Sequence, residues 1–150
     1  MSVVLVGVPQ FKVALDELVA AAAEATKIAV IKGGHLIQAE TQRKLTTSSH
    51  AKGTATPSQP GEPPSLVTGQ LRRSIRVDHP NRGGDGIWST RIGPTAVYGR
   101  IQELGGVTGR GHATTLPVRP YLAPALEAAI SSGRLGEVFD EAWRVALGHL

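Results

Sequence analysis

From Pro9 to about Lys44 the chain is patterned for one long helix. Phe11, Leu15, Leu18, Ala22, Ala25 and Ala29 follow one another at steps of four, three, four, three and four. That spacing lines residues up along one face of an α-helix. Lys12, Asp16, Glu24 and Lys27 lie away from the line. Pro9 suits a first helical turn, where a missing N–H costs nothing. The run Val19 to Ala23 is almost wholly apolar, which predicts cover on more than one side. Gly33-Gly34 interrupts the pattern, and each glycine costs about 1 kcal/mol against alanine inside a helix. The pair predicts a kink, a split, or the close approach of another backbone. Leu36, Ile37 and Leu45 resume the stripe. Whatever else this chain builds has to pack on that helix.

The next segment cannot continue it. Residues 46–66 hold four prolines and two glycines and show no apolar periodicity, so regular structure is precluded over most of them. A loop of about 20 residues is long for a compact domain, and in an assembly subunit such a loop can order against a neighbour. Ser74 to Asp78 then alternates polar and apolar, as do Trp88 to Ile92, with turn-forming residues 79–86 between them. This predicts an antiparallel hairpin with a long tip, ended by Gly93-Pro94. Val97, Ile101 and Leu104 space a short helix over 95–104 that Gly105-Gly106 stops. Residues 107–112 read as a flexible loop, and Thr114 to Val118 as a third strand. From Pro120 the pattern is helical again. Leu122, Leu126, Ala129 and Ile130 form one apolar stripe. Leu135, Val138, Phe139, Ala142, Trp143, Ala146, Leu147 and Leu150 form another, with Glu137, Asp140, Glu141 and Arg144 opposite. The predicted class is α+β: a long N-terminal helix, a small antiparallel sheet with a hairpin, and C-terminal helix or helices packed on the sheet.

Composition narrows the roles open to such a fold. At 150 residues the chain reads as a single domain, 1–150, able to bury roughly 70% of its unfolded surface. Its only aromatics are Phe11, Trp88, Tyr98, Tyr121, Phe139 and Trp143. A core of Ala, Val and Leu packs helices closely and can call on partner subunits to complete it. Net charge is +4 but uneven. Residues 1–42 carry three lysines against four acids, residues 43–119 eleven basic residues against four acids, and residues 120–150 two arginines against four acids. A basic middle can face nucleic acid, an acidic protein surface or water alone. There is no cysteine, so neither disulfides nor thiolate metal sites arise, which fits a cytosolic origin. The opening Met-Ser-Val-Val-Leu-Val-Gly-Val-Pro has no basic leader and only a short apolar run. It reads as a first strand or ordered arm, not a secretion signal or membrane span.

Enzyme chemistry needs a constellation, and none is visible. His35, His50, His79, His112 and His149 make no pair with metal-ligand spacing and an acidic companion. No Gly-x-Ser-x-Gly elbow occurs. Glu62, Asp78, Asp85 and Glu103 fall on different predicted elements. Gly106 to His112 lacks the Gly-Lys-Ser/Thr ending of a phosphate loop. The expectation is a protein without catalytic, cofactor or metal residues. Arg72, Arg73, Arg76, Arg82 and Arg110 are candidate subunit or DNA contacts, with Arg91 and Arg100 adding charge; no sequence-reading nucleic-acid motif accompanies them.

Three segments carry more information in their order than singly: Thr68-Gly-Gln-Leu-Arg-Arg-Ser-Ile75, Ala96 to Gly106, and Leu116-Pro-Val-Arg-Pro-Tyr-Leu-Ala-Pro-Ala-Leu126. Read physically, Thr68 can cap a short helical turn starting near Gly69, and Leu71 lies within that turn. Gly69 and Gly105 permit backbone geometries that other residues resist. Arg119-Pro120 holds an extended residue before a helix whose first turn tolerates proline. Tyr121 and Leu122 would anchor that helix on the sheet. Glu103 is expected to pair with an arginine, within the fold or across a subunit boundary. Thr68, Gly69, Leu71, Tyr98, Glu103, Gly105, Arg119, Pro120 and Tyr121 are thus read as fold-specifying.

These segments resemble a family of small tail-component proteins, head–tail joining or tail-completion proteins, from the neck of long non-contractile-tailed bacteriophages. The family pattern is a long amphipathic helix, a Pro-rich segment, Thr-Gly-x-Leu-Arg-x-Ser-Ile, a Tyr-centred segment closing on Glu-x-Gly, and Arg-Pro-aromatic-Leu-x-Pro-Ala. Residues 68–75, Tyr98, Glu103-Leu104-Gly105 and Arg119 to Ala125 match it, as does Pro60-Gly-Glu-Pro-Pro64. The likeness covers most of residues 9–130. One departure is Val67, where many members have Asp, so any capping or ionic role of that acid is lost. The resemblance implies a structural virion protein at the head–tail junction, assembled in the host cytoplasm. It would form a homo-oligomeric ring and bind head-completion (stopper), tail-terminator and tail-tube proteins, with genomic DNA passing non-specifically through the lumen and no membrane involved. Loops 46–66 and 105–115 are the candidates for contacts with neighbours. A tail terminator ring is the alternative, and a small non-specific nucleic-acid-binding module a further one.

Overall fold

Helix α1, Val8–Lys44, is the spine of the molecule. The computed structural model describes residues 7–53 and 58–148. The strand or arm expected at the N-terminus lies outside the described residues, as do residues 54–57 of the long loop and Leu150. At about 1.5 Å per residue α1 is roughly 55 Å long. Gly7, at φ 97°, turns the chain into it; Pro9 lies in its first turn, and Arg43 and Lys44 in its last, where cations suit the helix dipole.

Gly33-Gly34 neither breaks nor splits this helix. Both glycines are buried, and the expected close approach is what they serve. A Cβ on Gly33 would stand 3.0 Å from Leu135 Cδ1 and 3.5 Å from Phe139 Cε2. One on Gly34 would stand 2.8 Å from Val77 Cγ1 and 3.3 Å from Thr90 Cγ2. The two glycines are therefore the points where a C-terminal helix and a hairpin close onto α1.

After α1 and the long loop come α2, Gln70–Ser74, and a hairpin. Its inner ladder pairs β1, Ile75–Val77, with β4, Ile92–Pro94, in the register Ile75 to Pro94 and Val77 to Ile92. Its outer ladder pairs β2, Asn81–Arg82, with β3, Trp88–Ser89. Gly93-Pro94 ends the strand as expected, as the last two residues of its ladder, where a missing N–H is tolerated. Next is α3, Gly99–Leu104, shorter than expected because residues 95–98 form a turn. Val97 is 98% exposed and Leu104 60%, so the anticipated Val97–Ile101–Leu104 stripe is not a buried face. Residues expected to form a flexible loop instead make strand β5, Gly106–Thr108, and a 3₁₀ turn, Arg110–His112. β5 pairs with β6, Thr114–Leu116, as a separate hairpin. Two helices follow, α4, Ala123–Ser131, and α5, Arg134–Leu147, divided at Gly133 with φ 76°.

The class is α+β: a long N-terminal helix, small antiparallel sheets with hairpins, and C-terminal helices. Two apolar regions hold it together. Leu45, Ile75 and Tyr121 form a buried cluster that Leu71, Ile92 and Leu122 pack against. Along α1, the small buried residues Ala25, Ala29 and Gly33 face the C-terminal helices, whose own buried residues are Ala125, Ala129 and Ala142. Close helix packing turns the expected α4 stripe: Ala125 joins Ala129 inside, while Leu126 and Ile130 are exposed. In α5, Trp143 and Leu147 stay partly exposed. The double cover expected over Val19 to Ala23 is not supplied by the described residues, since Val19 is exposed and Ala21 to Ala23 only half-buried.

Two glycine substitutions separate packing from propensity. A Cβ on buried Gly99 would overlap the Pro94 ring and stand 3.2 Å from the Tyr121 hydroxyl. Gly136, inside α5, has nothing within 4 Å of its Cβ position. Urea unfolding should show Gly99→Ala destabilised by about 1–3 kcal/mol and Gly136→Ala stabilised by about 0.5–1 kcal/mol.

Candidate interaction surface

The three motif segments meet in one place. Glu103, on α3, sends its carboxylate to the start of α4. Oε2 accepts from the N–H of Tyr121 at 2.7 Å and of Leu122 at 3.0 Å, and Oε1 from that of Ala123 at 2.9 Å. The expected arginine partner is replaced by three backbone donors, because a helix start leaves N–H groups without intrahelical acceptors. Tyr121 is fully buried and its hydroxyl donates to the Gly99 carbonyl at 3.0 Å. Burial, then the Glu103 carboxylate and Tyr98, push that phenol well above its usual range, so it stays a neutral donor. Arg119 is also buried: its N–H donates to the Gln102 carbonyl at 2.9 Å and its Nε to the Ser58 carbonyl at 3.0 Å. Pro120 follows it, half-buried. Gly105, at φ 68°, would bring a Cβ within 3.0 Å of the Leu116 carbonyl oxygen. At the other segment the α2 cap is Gly69 itself, at φ 72°, rather than Thr68. The Thr68 hydroxyl accepts from Gln70 N–H at 3.3 Å, and Leu71 packs on the Tyr121 cluster.

The loop 46–66 is tied down where it is described. Ser49 bridges Leu66, and Leu66 N–H donates to the Ser48 carbonyl at 2.8 Å. Ser65 joins Ser48 and Ser58 through hydroxyl hydrogen bonds of 2.8 Å each. Gly61 N–H reaches the Val118 carbonyl at 2.8 Å. Together with Arg119, these bonds strap the loop across the chain leading into α4.

Among the described residues, two surfaces have no covering partner. The first is basic. Arg72 and Arg73, in α2, line one shallow depression with Leu66 to Gly69. Arg73 and Arg76 line the adjoining one with Thr95, Val97 and Tyr98. No carboxylate lines either depression. Among the described residues, Arg72, Arg73, Arg76, Arg82 and Arg110 make no ion pair; Arg76 Nη1 donates to the Arg73 and Ile75 carbonyls. The structure thus gathers the first three arginines, while Arg82, in the outer ladder of the first hairpin, and Arg110, in the second hairpin, line neither depression.

The second is apolar. Every residue from Val8 to Ala20 is exposed. Phe11 is 69% exposed, and Val8, Leu15, Leu18 and Val19 are exposed with it. These residues extend, at the same three-and-four spacing, the line that is buried from Ala25 onward. Their pattern was legible as a helix face; that the fold ends before covering it was not. Sequence reading also missed Glu40, a buried carboxylate paired with both Arg43 and Arg134 that ties α1 to the first turn of α5.

Among the described residues no group of three or more histidine, aspartate or glutamate side chains could hold a metal ion, and no helix is long and apolar enough to cross a membrane. Comparison with protein-family models, curated proteins and solved structures finds no match.

The Glu103 junction has a measurable consequence. Glu103→Ala leaves three N–H groups at the start of α4 without acceptors and should cost about 2 kcal/mol in chemical unfolding. Reversing the charge of surface arginines should not restore the loss.

Proposed function

We propose that the chain is a structural virion protein of the phage neck that joins head-completion proteins to the tail. The observation that carries this reading is the uncovered apolar stripe on the first four turns of α1. A face of that kind serves binding, since contiguous exposed apolar surface on a folded chain marks a site of association. The resemblance of residues 68–75, 96–106 and 116–126 to neck proteins supplies the setting, and those residues interlock as one junction here. A ring of copies would be the natural symmetry of such a subunit. Phage made without the protein should accumulate filled heads and finished tails that do not join, and adding the purified protein should restore infectious particles. Tails of abnormal length would assign it instead to the terminator ring. Infectious particles at normal yield without it would overturn both roles.

The unpaired arginines favour a second reading, a non-specific nucleic-acid contact made by Arg72, Arg73 and Arg76. Binding to duplex DNA would then weaken steeply with salt, and replacing all three arginines by alanine should lower the slope of log affinity against log salt by about 2–3. A fluorescence anisotropy titration that detects no binding at low salt removes this reading.

A further inference from the structure

We infer that the open depression between the strapped loop and α3 is a site for a phosphate-type oxyanion, held by Arg119 and Gln102. The site is independent of the neck role and does not use Arg72, Arg73 or Arg76.

Arg119 is only 7% exposed, yet it makes no ion pair among the described residues. A buried guanidinium without a counter-charge is costly, because it has given up water and gained no carboxylate. The other buried charged residue, Glu40, is treated differently, being paired with both Arg43 and Arg134. Arg119 has the Ser58 carbonyl on its Nε at 3.0 Å. Its two Nη groups make no hydrogen bond among the described residues, so the end of the guanidinium fork is unused. Neither Nη is sealed off. Trp88 Nε1 is the one side-chain polar atom among the described residues that is both sealed from solvent and unpartnered.

The depression that Arg119 lines has a volume of about 180 Å³, and Gln102, His50, Ser58 and Ser65 line it too. No carboxylate does. Glu103, beside Gln102, is occupied by the N–H groups that open α4. Glu62, on the loop, is exposed and makes no ion pair among the described residues. The half-buried Gln102 side-chain amide has no hydrogen bond among the described residues either. Unused N–H donors and one positive charge therefore border a space that contains no negative charge, which calls for a small anion rich in acceptors. The volume lies below the roughly 300 Å³ at which pockets for larger organic ligands begin. An arginine fork matches the oxygens of a phosphate group, whether that group is a free ion or one unit of a nucleic-acid backbone. Bound there, it would join His50, Ser58 and Ser65 of the loop to Gln102 on α3 and to Arg119 at the entry to α4. The anion would thus fasten the loop to the body of the fold.

Thermal melting of the full chain, followed by circular dichroism in chloride and in inorganic phosphate at equal ionic strength, tests this. Wild type should gain roughly 3–6 °C, saturably, at about tenfold phosphate over Kd. Gln102→Glu sets a carboxylate beside Arg119. It should melt above wild type in chloride and lose the gain from phosphate. Arg119→Gln should lose the gain as well; if that variant does not fold, Gln102→Glu decides. A gain from inorganic phosphate alone assigns a free anion. A gain from a short single-stranded oligonucleotide that Gln102→Glu also loses assigns a backbone phosphate. No gain from either probe overturns the inference. So does a gain equal in wild type and Gln102→Glu, which is the general effect of phosphate excluded from protein surfaces.

Discussion

The Glu103 carboxylate, set against three consecutive backbone N–H groups at the start of α4, is the contact on which the rest of this structure depends. It fixes the place where the chain leaves its small hairpins and enters the helical layer. With that place fixed, Tyr121 enters the cluster with Leu45 and Ile75 and satisfies its hydroxyl on Gly99. Leu45 is at the end of α1 and Ile75 opens the first hairpin, so one junction registers helix, hairpin and C-terminal pair against each other. A charged acceptor shared among backbone donors is stronger than a neutral hydrogen bond, and it suits a fold with few aromatics to bury.

Distance between elements is then set by small residues. Gly33 and Gly34 admit Leu135, Phe139, Val77 and Thr90 onto α1 from two directions, and Gly99 admits the Pro94 ring beside Tyr121. Alanines at 25, 29, 125, 129 and 142 continue the theme along the helices. Such packing keeps backbones close but buries little area per residue. That places weight on polar ties such as Glu40 between Arg43 and Arg134, and Arg119 on Ser58.

Periodicity made α1 legible in the sequence almost to the residue, because its spacing, Pro9 and the glycine pair all act within a few residues of one another. The first hairpin was legible for the same reason, with Gly93-Pro94 closing its inner ladder. What stayed hidden was long-range. Glu103 reads as a partner for arginine until the start of α4, nearly 20 residues later, is known to lie over it. Residues 107–112 look like loop because two glycines mask a strand that forms only when β6 returns beside it. The α4 face was misjudged because Leu126 and Ile130 outweigh Ala125 in any hydrophobic count, while close approach to α1 selects the small side chain. The basic candidates divided in the same way: proximity in sequence kept Arg72, Arg73 and Arg76 together, and tertiary structure separated Arg82 and Arg110 from them.

The open stripe on α1 follows from the same economy. A helix of roughly 55 Å exceeds what α5, at 14 residues, and α4, at nine, can sheath when they return along it through the Gly133 turn. Its alanine content keeps the overhang helical without tertiary support, because the nucleating turns are already packed further along the same helix. Valine and phenylalanine on that overhang add little to helicity, and neither they nor the leucines there belong to the buried core. Exposed as they are, they bury little apolar surface within this fold, so the N-terminal third of α1 is held in shape by the packing further along the helix while its apolar face stays open to water.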